Sequence, residues 1–123
     1  MHKCQLCFRQ RIRLAMLAVC IAACPLASAY DPVDCVRDIS KVDPEIIVGL
    51  AVKLCAGAYS PEPVKCYAKI GEVDKGMIRG IAIDLCAGSI DADQTIGCYV
   101  KAGNEKLNRG LSTTLCGLRK GEK

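Results

Sequence analysis

Ten cysteines in 123 residues are the side chains with the most chemistry to offer, and their spacing decides which chemistry that is. Six of them, Cys35, Cys55, Cys66, Cys86, Cys98 and Cys116, stand well apart, the closest neighbours being Cys55 and Cys66. Metal knuckles set two thiolates within a few residues of each other. None of these six stands that close to another, so no metal site is expected. The only C-x-x-C, Cys4 with Cys7, lies in the N-terminal leader, which removes the usual signature of a dithiol redox centre. An even set of cysteines behind an export leader reads instead as three disulfides. The expected pairing is Cys35 with Cys55, Cys66 with Cys86 and Cys98 with Cys116, which leaves no cysteine orphaned. A rival scheme joins Cys55 to Cys66 and Cys86 to Cys98, and so forces Cys35 onto Cys116.

Other chemistry is scarce. The only histidine is His2, so beyond the leader no imidazole can activate a Ser or Cys nucleophile. Asp43 and Asp74 recur at equivalent positions where helix caps belong, and capping accounts for them better than acid-base work. The recurring CAG lacks the Lys and Ser/Thr of a phosphate loop. No catalysis and no cofactor is expected. Tyr67 and Tyr99, each directly after a cysteine, and Tyr59 in the connection YSPEP form a candidate partner surface. The competing role for the first two is packing on the disulfides.

Residues 1–29 differ in kind from the rest. Lys3, Arg9, Arg11 and Arg13 precede the apolar run LAMLAVCIAAC, and Ala27-Ser28-Ala29 follows. That is the plan of a secretory signal peptide, with cleavage expected before Tyr30. A second exit is acylation of Cys24 as in bacterial lipoproteins, which would tether the chain to a membrane. The leader carries four of the 17 Lys and Arg and none of the 13 acidic residues, so residues 30–123 hold 13 of each sign. A formally neutral domain offers no electrostatic case for nucleic acid, and a membrane enters only through Cys24.

The framework that must position the cysteines is an internal repeat. The register that sets Cys35 on Cys66 also sets Ile39 on Ile70, Asp43 on Asp74, Gly49 on Gly80, Leu54 on Leu85 and Cys55 on Cys86. A third copy runs from Cys98-Tyr99 to Arg109-Gly110 and Leu115-Cys116, two residues shorter at a turn whose counterpart lies near residues 72–75. The copies span about 31–57, 61–88 and 93–117. Asp31-Pro32, Asp43-Pro44 and Ser60-Pro61 look like helix starts, and Gly57, Gly88 and Gly117 like helix stops. Apolar residues recur every three or four positions, as in Ile46, Ile47, Leu50, Ala51, Leu54 and Cys55. The expected fold is all-α: a single domain of three tandem helical hairpins, each a short helix, a turn and a longer helix, stapled by disulfides.

Gly49, Gly80 and Gly110 fall inside the expected longer helices, beside Val52, Ile83 and Thr113. They suggest a seam where one hairpin's backbone approaches the next, with a polar, uncovered end at Thr113. The resemblance to six-cysteine helical proteins of the saposin type is one of class only, since their paired early cysteines are missing. The expected function is a secreted or periplasmic structural or protein-binding module, with an apolar-ligand or lipid-binding helical protein as the alternative.

Overall fold

A computed structural model describes residues 28–117. Residues 1–27, which include most of the expected signal peptide and Cys24, lie outside the described residues. Six helices follow one another: α1 (Pro32–Val42), α2 (Val48–Cys55), α3 (Glu62–Val73), α4 (Arg79–Cys86), α5 (Ala92–Asn104) and α6 (Arg109–Cys116). The described residues contain no strand. The all-α expectation holds, and helices α1 and α2, α3 and α4, and α5 and α6 form three hairpins.

The lengths are the reverse of those expected. First helices run 11, 12 and 13 residues, and second helices run 8 each. Asp43-Pro44 is the reason. Asp43 does not start α2. It ends α1, with its N–H donating to Ile39 O at 2.8 Å and its carboxylate accepting from Glu45 N at 3.2 Å. That carboxylate-to-backbone bond folds residues 43–47 into a turn, because Asp competes for nearby N–H groups outside helices. Asp74 repeats the turn through Gly76 N at 3.0 Å. At Asp31 the start signal is as expected: its carboxylate accepts from Val33 N and Asp34 N, and Asp34 reciprocates on Asp31 N, a capping box.

Gly57 and Gly88 both take positive φ, the left-handed conformation that closes a helix at little cost for glycine. Gly117 has φ −71° and ends α6 for another reason. A Cβ there would stand 2.8 Å from the carbonyl oxygens of Asp84 and Thr113, so α6 closes against the end of α4. The two residues missing from the third hairpin tighten its turn, and Lys106 there also adopts a positive φ, rare for a residue that bears a side chain.

The three disulfides tie first helix to second in every hairpin: Cys35 to Cys55, Cys66 to Cys86 and Cys98 to Cys116, with Cα separations of 5.5, 5.5 and 5.7 Å. This is the pairing expected from the spacing. The hairpins then line up in chain order. Helix α3 packs on α1 and α5, and α4 on α2 and α6, while no helix of the first hairpin touches one of the third. Ile39, Leu54, Ile70, Ile83 and Leu85 fill the space between the two rows of helices together with the first two disulfides.

Candidate functional site

The polar chemistry of the molecule is concentrated at the two junctions between hairpins. At the first, Asp43 of hairpin one receives the Tyr67 hydroxyl at 2.7 Å, Arg79 Nε at 2.7 Å and Arg79 Nη2 at 3.0 Å, all from hairpin two. Glu45 adds a longer contact to Arg79 Nη2 at 3.4 Å. At the second, Asp74 receives the Tyr99 hydroxyl at 2.8 Å and Arg109 Nε and Nη2, both at 2.6 Å. Each Asp therefore locks its own turn through a backbone N–H and also clamps the following hairpin through a two-pronged guanidinium contact.

Local sequence positions every member. Tyr67 and Tyr99 follow cysteines whose disulfides fix the first helix, so their hydroxyls are aimed back at the preceding turn. Arg79 opens α4 and reaches Asp43, the acceptor of Tyr67, while Arg109 opens α6 and reaches Asp74, the acceptor of Tyr99. Hydrogen bonding from Arg79, with Tyr67 adding to it, holds the Asp43 carboxyl below its ordinary value against the opposing effect of desolvation. Asp74 is held lower by Arg109, then Tyr99. Burial, followed by the bond to Asp43, pushes the Tyr67 hydroxyl up to about 12, and Tyr99 is raised for the same reasons with Asp74. A carboxylate so fully engaged makes a poor base. What the cluster does is hold two hairpins in register.

Of the three candidate surface tyrosines, only Tyr59 is presented to solvent. Tyr99 is buried, Tyr67 is half-buried, and both hydroxyls are consumed internally. Among the described residues no group of His, Cys, Asp and Glu is arranged to hold a metal ion. An open groove of about 410 Å³ lies beside the second clamp, lined among others by Val73, Asp74, Tyr99, Leu107 and Arg109.

The glycine seam needs correction. A Cβ on Gly49 or Gly80 would meet nothing within 4 Å, so no neighbouring backbone approaches there. Because the second helices start late, these glycines are the second residue of α2 and α4, on an open side. The seam is built from side chains, and its polarity is opposite to that expected. Val52 is 53 % exposed, whereas its equivalents Ile83 and Thr113 are 0 % and 7 % exposed. That position faces the preceding hairpin, and among the described residues none precedes hairpin one. Leu54 and Leu85 are buried while Leu115 is 64 % exposed, so that position faces the following hairpin, and among the described residues none follows hairpin three. Thr113 is consequently interior, and its Oγ1 has no hydrogen-bond partner.

The sequence carries a signal for the clamps outside the cysteine pattern. Hairpin one has Val36 and Val48 where Tyr67 and Arg79 stand in hairpin two, and hairpin three has no Asp in its turn, Glu105-Lys106-Leu107-Asn108. Among the described hairpins, the clamp donors are missing only from the first and the acceptor only from the last. No protein-family model matches the chain, and neither a curated protein nor a solved structure matches it.

Proposed function

We propose that this chain is an exported, non-catalytic binding module that meets another protein through the two ends of its hairpin row. The observation that carries this reading is the exposed apolar residues at those ends. Val48 and Val52 occupy the outer side of hairpin one, Leu111 and Leu115 that of hairpin three, and all four are more than half exposed. Each pair stands four residues apart on one helix and so shares a face, and exposed apolar patches mark contact sites. Three disulfides suit an oxidising, extracellular compartment. Among the described residues no helix is long and apolar enough to cross a membrane. The test is a photo-crosslinking amino acid placed at Val48 or Leu115, compared with one at Glu72 on the exposed end of α3, in the native host. Adducts at the two end positions and not at Glu72 are expected. Adducts at Glu72 alone would overturn the reading.

A second reading, an apolar-ligand carrier, has the groove beside Tyr99 as its observation. Organic extraction of the purified protein followed by mass spectrometry tests it, and recovery of a bound lipid at stoichiometric level would favour it.

A further inference from the structure

We infer that the occupant of each end is a second copy of this chain, stacked head to tail so that hairpin three of one molecule meets hairpin one of the next. The inference rests on the ends being contact faces, and it names their partner from the internal junctions. Inside the molecule α2 packs on α4 and α4 on α6, and at each junction the Leu of the earlier hairpin, Leu54 or Leu85, is buried, as is the residue of the later one at the Val52-equivalent position, Ile83 or Thr113. Continuing the row by one step sets Leu115 opposite Val52. An aliphatic pair of this kind reproduces the first internal junction more closely than the second does, where Thr113 supplies an unpartnered hydroxyl.

The polar part of the junction does not continue. A following hairpin one brings Val36 and Val48 where Tyr and Arg would clamp, and hairpin three offers no Asp to receive them. Tyr and Arg at the head facing a turn without Asp would have buried unpaired donors. Valine at both places removes that penalty and leaves an interface with no ionic clamp. Contact between copies is therefore apolar, weaker than the internal junctions, and reversible with concentration. Because the two faces differ, the association is heterologous and grows by addition at either end unless the row closes into a ring.

Sedimentation velocity of the purified oxidised protein over a concentration series, at low and high sodium sulfate, is the experiment. Species larger than a dimer are expected to accumulate with concentration, and sulfate should strengthen them, as excluded salts do for apolar contacts. Val52→Asp and Leu115→Asp change exposed side chains, so the folded monomer should survive, as checked by circular dichroism and absence of free thiols. Each variant alone should be monomeric. Mixed together they should form dimers and nothing larger, since the first retains a working tail and the second a working head. A protein monomeric at every concentration overturns the proposal. So does a wild type that stops at a dimer abolished by only one substitution, which would mean head-to-head or tail-to-tail pairing. If the end-face crosslinks described above yield adducts of foreign mass only, the self-association fails while the binding-module reading stands.

Discussion

The two internal junctions use one polar device and two different fillings. Asp43 with Tyr67 and Arg79 matches Asp74 with Tyr99 and Arg109 almost bond for bond. Beside the first clamp Ile83 is completely buried, and beside the second Thr113 is buried with an orphaned hydroxyl. The clamp sets register, because a bidentate ion pair tolerates little misplacement. The apolar side chain sets strength, because burial of methyl groups is where the free energy comes from. Junction one should therefore be the stronger, and substitutions at each site test that ranking.

The largest effect is expected at Ile83, a site with no exposure. Truncation by Ile83→Ala removes three methyl or methylene groups and should cost about 3 kcal/mol, within the range for buried aliphatic truncations. Chemical denaturation followed by circular dichroism measures it. A loss no larger than that of a surface substitution would mean that the junction collapses readily around the gap.

Next come the clamps. Asp43→Ala leaves the Tyr67 hydroxyl and the Arg79 fork without their acceptor and should cost about 1–2 kcal/mol, the lower part reflecting the solvent open to Arg79. The pH dependence has a definite sign. Both carboxyls are depressed in the folded state, so their contribution is complete above the unfolded Asp value of about 4 and disappears as pH falls through the folded values. Tyr67 is raised to about 12, so its contribution is complete below about pH 10 and is lost as pH rises toward 12. Stability measured against pH should fall at both extremes, and Asp43→Ala should flatten both limbs. An unchanged acid limb in that variant would show that the first clamp contributes nothing.

Much of this architecture was legible in the chain, and the misses have physical causes. Cysteine spacing implied the correct pairing because hairpins of nearly equal span repeat it. Helix lengths are not legible there because Asp-Pro serves a helix start and a turn equally well, and only the preceding helix ending at Val42 decides between them. Seam direction could not be inferred from helical periodicity, which says that Val52, Ile83 and Thr113 share a side but not whether the neighbour comes before or after. The Tyr-Asp-Arg clusters join side chains from different hairpins, far apart in the chain, so they show in sequence only as the pattern of which hairpin lacks which member.

A smaller effect, opposite in sign, is expected at the weaker junction. Thr113→Val keeps shape and replaces the unpartnered hydroxyl by a methyl group, which should stabilise by about 1 kcal/mol. Thermal melts of the single variant, and of the double variant with Asp74→Ala, show whether filling and clamp act independently. A destabilised Thr113→Val would reveal that the hydroxyl has a partner, such as a bound water.

The smallest effect concerns the recurrent glycines, and it separates a seam made by backbone approach from one made by side chains. If hairpins met at Gly49 and Gly80, any side chain there would be overpacked and costly. Open space around both positions argues for the reverse. Alanine restricts the unfolded chain and suits the helix better, so Gly49→Ala and Gly80→Ala should each gain a few tenths to about 1 kcal/mol. Gly117→Ala, whose Cβ would run into the Asp84 and Thr113 carbonyls, should lose stability under the same conditions. The contrast is the informative quantity, since all three are the same chemical change on the same scaffold. Gains at 49 and 80 with a loss at 117 fit a row held by Ile83, Leu54 and Leu85. Losses at 49 and 80 comparable to that of Ile83→Ala would show that something covers the open side of the second helices, and the hairpin row would then have a third contact face along its length.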